Sequence, residues 1–128
     1  MDPISDMLIR VKNAQIAGHE TVQIPYSRFK HEIAKTLERG GFIENVDRKG
    51  KRTRKFIEVT LKFSKTKDHG IHDVALISKP SRRLYAPYKD ILRSRHRGTV
   101  IVSTSYGVMS SKEAHKAKIG GEIIAEVW

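Results

Sequence analysis

The sequence contains no cysteine. Disulfides, thiolate catalysis and cysteine-based zinc sites are excluded, and a small chain without disulfide staples points to a reducing, cytoplasmic compartment. Acidic residues are scarce beside basic ones: 14 Asp and Glu stand against 25 Lys and Arg, for a formal charge of +11 and a pI near 10.1. No apolar run approaches the roughly 20 residues needed to cross a bilayer, and no basic amphipathic helix offers a Trp/Phe/Leu face to lie on one. There is no glycine-rich phosphate loop and no Gly-x-Ser-x-Gly elbow, which leaves Ser105 without the setting of a nucleophile. The opening Met1-Asp2-Pro3 is acidic and runs straight into a helical pattern, so it is expected to be neither a signal nor a transit peptide.

What is present supports a modest core. The 128 residues are 38% hydrophobic and 7% aromatic, enough for one domain or two very small ones and too apolar for disorder. A charge excess of this size repels itself unless an anionic partner screens it. Nucleic acid is the first such partner for a pI this high, and an anionic membrane surface is the weaker second.

The pattern along the chain is mixed α/β (α+β). Asp2-Pro3 is an N-cap followed by Pro at the first helical position, and Ile4, Leu8 and Val11 continue at helical spacing up to Gly18. Thr21 to Ile24 is a strand. Ser27 caps a second helix with Phe29, Ile33 and Leu37 on one stripe, ended by Gly40-Gly41. Phe42 to Asp47 and Phe56 to Phe63 form a hairpin, with Ile57, Val59, Leu61 and Phe63 on one face. Polar residues 64–70 are the best linker, which divides the chain into an N-terminal α/β unit, 1–65, and a C-terminal, mainly β unit, 66–128. In the second unit, Val74 to Ile77 and Thr99 to Ser103 are strands and Lys79 to Arg97 is irregular. Tyr106 to Met109 is a turn, Ser110 with Glu113 is a capping box opening a short helix, and Glu122 to Val127 is the last strand.

Four groups could carry chemistry. Arg48, Lys49, Lys51, Arg52, Arg54 and Lys55 crowd the hairpin tip, as a phosphate-gripping finger or as a solvated loop. From Lys79 to Arg97, the cations Lys79, Arg82, Arg83, Lys89, Arg93, Arg95 and Arg97 interleave with Tyr85 and Tyr88. Guanidinium and phenol rings among cations suit RNA, although tyrosines also pack on cores with wet hydroxyls. Ser103-Thr104-Ser105-Tyr106-Gly107 ends a buried strand. Its hydroxyls can pair with 2′-hydroxyls and base edges in the shallow minor groove of RNA, and Gly107 would let backbone approach backbone; an ordinary Ser/Thr turn is the plainer reading. Gly120-Gly121-Glu122 would admit a ligand beside a carboxylate able to accept from a base amino group, or simply end a helix. Asp68, His69, His72 and Asp73 fit no zinc spacing. No metal, cofactor or small-molecule substrate is expected, and no enzymatic activity.

With those residues in view, the chain closely resembles the bacterial-type small-subunit ribosomal protein S8 family over essentially its whole length. Asp2-Pro3-Ile4-Ser5-Asp6-Met7-Leu8 with Arg10 and Asn13-Ala14 is similar to the family's first helix, and Lys79-Pro80, Arg82-Arg83 and Tyr85 to its central basic stretch. Gly98, Ile101-Val102, Ser103-Thr104, Gly107, Val108-Met109 and Ala114 fit the signature spacing, and Gly120-Gly121-Glu122 through Val127-Trp128 complete it. The resemblance implies a two-domain protein that binds the central domain of 16S ribosomal RNA, helps assemble the small subunit and lies next to the family's fifth small-subunit protein. It puts the minor-groove contact on Ser103, Thr104, Ser105 and Gly107, with Gly120, Gly121 and Glu122 opposite and Tyr85 beside them; Lys79, Arg82, Arg83 and Tyr88 complete the RNA-binding set. A free-standing regulator of a structured messenger RNA is the alternative. Three positions depart from the family: Ser81 replaces a common glycine, Tyr106 a common basic residue, and Arg95-His96-Arg97 a more apolar loop.

Overall fold

The computed structural model of the chain describes residues 3–62, 70–91 and 98–128. The proposed boundary at 65/66, most of the polar stretch around it, Asp2, Phe63, Asp68, His69, Arg93, Arg95, His96 and Arg97 lie outside the described residues.

Helix α1 (Pro3–Ile16) buries Met7, Leu8, Val11 and Ala14, which recur on one stripe at helical spacing. Gly18, at φ +78°, ends it by letting the His19 amide donate back to the Ala14 carbonyl at 3.0 Å. Strand β1 (Thr21–Pro25) follows. Ser27 accepts from the Lys30 amide at 3.1 Å and so starts helix α2 (Arg28–Arg39), which buries Ile33, Ala34, Thr36 and Leu37. Strands β2 (Ile43–Lys49) and β3 (Phe56–Leu61) form the hairpin. Strand β1 pairs with the far side of β3, giving an antiparallel sheet of order β1-β3-β2 in which Ile24 faces Ile57 and Val22 faces Val59.

The second sheet is made from β4 (Val74–Leu76), β5 (Tyr85–Ala86), β6 (Thr99–Thr104), β7 (Gly107–Ser110) and β8 (Gly121–Val127). Its order is β4-β8-β6-β7, with β5 also paired to β8. Between β7 and β8 lies the short helix α3 (Ser111–Ala117), opened by the capping box of Ser110 and Glu113. Two segments differ from the sequence expectation. Residues Tyr106 to Met109 are not all turn: of them only Tyr106 is, together with Ser105 before it, and Gly107–Ser110 is a strand. Its inward signal is a single buried residue, Val108, directly after a glycine, too little for any periodicity to register. The basic stretch after Lys79 is not wholly irregular either, since Tyr85–Ala86 pairs with β8 and Tyr88–Asp90 makes a 3-10 turn.

The main core joins α1, α2 and β3 to Ile101, Ala125 and Val127 of the second sheet. A smaller cluster of Val100, Val102 and Ile123, with Ile77, Ala86 and Ile91 against it, covers the other face. Strands β6 and β8 are therefore buried on both sides, which is why Val100 to Val102 is unbroken apolar sequence instead of an alternation.

A polar clasp ties α2 to the β7–α3 corner. The Thr36 hydroxyl lies within donating distance of the Glu32 carbonyl (2.9 Å) and the Val108 carbonyl (3.3 Å). The Arg39 guanidinium reaches Thr36 Oγ1 at 3.2 Å and the Glu113 carboxylate at 3.4 Å. Partial burial alone would push the Glu113 carboxyl up. The Ser110 amide and hydroxyl and the Arg39 charge outweigh it and hold the group below the usual carboxylate range. The folded pKa thus lies below the unfolded one, so the stabilisation is complete above about pH 4.3 and is lost as pH falls through the folded value. Glu113→Gln is expected to destabilise the fold at pH 7 by no more than about 1 kcal/mol for a pair this exposed, read as a lower thermal midpoint. The gap to the parent chain should close as melts are repeated down to pH 3; a gap independent of pH would remove Glu113's charge from the account.

Candidate nucleic-acid interface

Strand β8 holds the expected site together because it is flanked on both sides. Glu122 pairs with Tyr85 of β5 on one side and with Ser103 of β6 on the other. Directly opposed residues of antiparallel strands point to one face, so Tyr85, Glu122 and Ser103 form a row across the sheet. Tyr85 is 72% exposed. Glu122 is not a free carboxylate: its side chain is only 17% exposed and accepts from Arg83 Nη1 at 3.3 Å. Any base amino group reaching it must share it with that guanidinium.

One step further along β6, the chain reverses through Ser105 and Tyr106, with Thr104 paired to Gly107. Neither turn residue has positive φ, whereas Gly107 does at +117°. Gly107 is needed there for its backbone conformation and not for close packing, since the nearest atom to an added Cβ would be Glu32 Oε1 of α2 at 3.5 Å. Thr104 spends most of its hydroxyl on the turn itself, donating to the Gly107 carbonyl at 2.8 Å and accepting from the Tyr106 amide at 3.1 Å. Ser103 is half-buried, while Ser105 and Tyr106 are exposed, Tyr106 at 80%. The turn is thus an uncharged, rigidly braced tip.

The paired glycines serve the chain's own backbone. A Cβ on Gly121 would run into the Ser103 carbonyl oxygen, and one on Gly120 into the Ala86 carbonyl and Pro87. They let β5 and β6 close on β8, which assembles the row. Gly98 plays the same part at the opposite end, against the Val127 carbonyl and Trp128.

The basic loop is anchored at its base, where Ser78 Oγ accepts from the Leu84 amide at 3.0 Å. At its tip Lys79 and Arg82 exchange two backbone hydrogen bonds, 2.9 and 3.0 Å, around Pro80-Ser81. Ser81 is not at positive φ, so this turn makes no demand for glycine. Lys79 and Arg82 are exposed, and among the described residues neither side chain makes an ion pair. Tyr88 is placed differently from Tyr85: half-buried, its ring meets His115 edge-on at 6.0 Å with the Lys89 ammonium 6.0 Å above it. The hairpin tip is likewise mixed. The Arg48 guanidinium lies 5.0 Å above the Tyr26 ring and Lys49 pairs with Glu58 at 3.0 Å, while Lys51, Arg52, Arg54 and Lys55 extend into solvent. Asp73, of the Asp68, His69, His72 and Asp73 group, pairs with Lys12 at 2.9 Å. Sequence reasoning missed Ser78, which closes a six-residue loop onto Leu84, and Thr36 and Arg39, whose partners Val108 and Glu113 lie 72 and 74 positions along the chain, where no local pattern marks them.

A basic two-sheet fold that carries a braced, uncharged hydroxyl turn and a cationic loop has the charge and surface groups of the class of small nucleic-acid-binding proteins. The comparisons with known proteins narrow that class. The model of the family described as ribosomal protein S8 matches residues 2–128. Proteins named small ribosomal subunit protein uS8 are similar over nearly the full length. That of Thermoanaerobacter sp. (strain X514) is 43% identical over 99% of this chain and 97% of its own. That of Dictyoglomus turgidum is 45% identical over 99% and 97%, and that of Nautilia profundicola 40% over 99% and 98%. The chain belongs to the ribosomal protein S8 family, proteins of the small ribosomal subunit and not enzymes.

Proposed function

We propose that the chain binds the central domain of 16S ribosomal RNA and helps organise it during assembly of the small subunit, in the cytoplasm and next to the family's fifth small-subunit protein. In this reading Ser103, Thr104, Ser105 and Gly107 enter a minor groove, with Tyr85 and the Gly120-Gly121-Glu122 corner beside them. Lys79, Arg82 and Arg83 fix the register on phosphates and Tyr88 supports their loop. The observation that carries it is the row Tyr85–Glu122–Ser103 continuing into the braced tip at Ser105: Tyr85, Ser103 and the tip offer neutral donors and acceptors suited to base edges and 2′-hydroxyls, and the one carboxylate, Glu122, is paired with Arg83. Phosphate contacts position a protein, whereas groove contacts select a site, and in this reading the two tasks fall on different residues.

The test has two arms. The chain should co-sediment with small subunits at moderate salt, and it should bind an isolated central-domain helix over a random duplex of equal length. Selective binding to the helix without incorporation into subunits would instead describe a regulator of a structured messenger RNA. No selectivity in either arm would remove the reading.

Binding should also need no metal held by the protein. With an RNA helix folded beforehand in monovalent salt, the affinity is expected to stay within twofold in excess chelator; a tenfold loss would point to a metal site on the chain.

A further inference from the structure

Tyr106 is the most exposed large hydrophobic residue among the described residues, at 80%, yet the backbone beneath it is braced by side-chain hydrogen bonds. Its amide donates to Thr104 Oγ1, and the same hydroxyl donates to the Gly107 carbonyl, closing the turn around it. Tyr26 and Tyr88 both have ring partners, His31 at 6.1 Å and His115 at 6.0 Å. Among the described residues the Tyr106 ring has none. An aromatic ring that packs on nothing stabilises nothing in the fold, and exposing it carries a solvation cost. A flexible ring would lose much of its stacking energy to ordering, but this one stands on a fixed tip with only two side-chain torsions left to restrain.

We propose that Tyr106 is a stacking residue for an unpaired base, and so a specificity-determining residue of the RNA surface. This rests on the RNA-binding reading above and deepens it. The tip is uncharged, so it is not built to neutralise phosphate. Its ring offers a π-face, and in RNA the bases free to receive one are those displaced from a helix, at bulges and internal loops, because paired bases are already stacked. Ser105 beside it and Ser103 behind it would hold the flanking groove by hydrogen bonds, leaving the ring to report whether a splayed base is present. The chain would then favour an irregular helix over a regular one by a contact that no regular helix can make.

The experiment uses the full chain and two synthetic helices of equal length, one with an unpaired adenine and one fully paired. Tyr106→Ala should weaken binding to the irregular helix roughly five- to hundredfold and leave the weaker binding to the paired helix within twofold. Tyr106→Phe should stay within twofold of the parent chain on both. The salt slope should not change for either variant, because no counterion release is involved. As a measure independent of affinity, 2-aminopurine at the unpaired position should be quenched at saturating parent chain or Tyr106→Phe, and not at saturating Tyr106→Ala. Equal losses on both helices, an alanine variant within twofold on the irregular helix, or unchanged quenching would overturn the proposal. If the parent chain itself fails to prefer the irregular helix while still binding it through Thr104 and Ser105, Tyr106 is not the discriminator. If the parent chain binds neither helix, it is the broader RNA-binding reading that fails.

Discussion

Replacing Thr104 and Ser105 together by alanine is expected to weaken binding to the central-domain helix by on the order of 2–4 kcal/mol, roughly 30- to 700-fold, with the salt dependence left nearly intact. The estimate assumes one or two buried hydrogen bonds lost per residue, each leaving a partner unpaired. The two residues should not contribute in the same way. Thr104 braces the turn through Gly107 and Tyr106, so its loss also loosens the tip. Ser105 is exposed, and its removal leaves the fold as it was. Thermal melts should therefore register Thr104→Ala and be silent for Ser105→Ala, while both weaken RNA binding. Arg82→Gln provides the contrast, because an exposed cation facing phosphate contributes through counterion release. It should flatten the log–log salt slope by about 0.7–0.9 and lower affinity for cognate and random RNA alike. Arg83→Gln should flatten it less, since Arg83 is already shared with Glu122. If the two hydroxyl residues tolerate alanine while Arg82→Gln abolishes discrimination, recognition lies in the basic loop and the hydroxyl turn is only a turn.

Gly121→Ala should be among the most damaging single methyl groups that can be added to the chain. The new Cβ points at the Ser103 carbonyl, so β6 and β8 must part at the end of the sheet where the row of Tyr85, Glu122 and Ser103 is set. Overpacking of this kind costs about 3 kcal/mol, which for a domain of this length lowers the thermal midpoint by about 10 °C. RNA affinity should fall as well, measured well below the new midpoint, because the separation of Tyr85 from Ser103 changes. Gly18→Ala is the control. Unlike Gly121, it occupies positive φ, and nothing lies within 4 Å of its added Cβ. Its cost should be the backbone strain alone, about 1 kcal/mol, and RNA affinity should be unchanged. A Gly121→Ala variant as stable as the parent would mean the two strands are not in such close contact.

The elements that a reader of the sequence can find are those whose cause is local. The Phe29, Ile33 and Leu37 stripe, the Ser27 cap, the Ser110–Glu113 box and the alternation from Ile57 to Leu61 each carry their reason within a few residues. What escapes is what depends on a distant partner. Strand β5 is two residues long and exists only because β8 lies beside it, some 35 positions on. Strand β7 rests on one buried valine. Gly98, Gly120 and Gly121 can be noted as glycines, but that each faces a carbonyl oxygen requires the sheet to be assembled first. The same limit holds at the site. The hydroxyl turn stood out as a cluster of small polar residues, whereas the Arg83–Glu122 pair and the Arg39–Glu113 clasp, 39 and 74 positions apart, did not. The family resemblance brought the site residues together before the fold did. Geometry then added the division of labour: Thr104 braces, Ser105 and Tyr106 present, and Gly121 admits Ser103.

The central claim is that the tip at Ser105 and the row ending at Tyr85 face one irregular helix of 16S ribosomal RNA. A zero-length ultraviolet crosslinking map of the chain on reconstituted small subunits tests it most directly. The account predicts crosslinked peptides containing Tyr85 and residues 103–107, both joined to a single helix of the central domain. Crosslinks confined to the Lys51–Lys55 hairpin tip, or joining the two peptides to separate RNA domains, would contradict it.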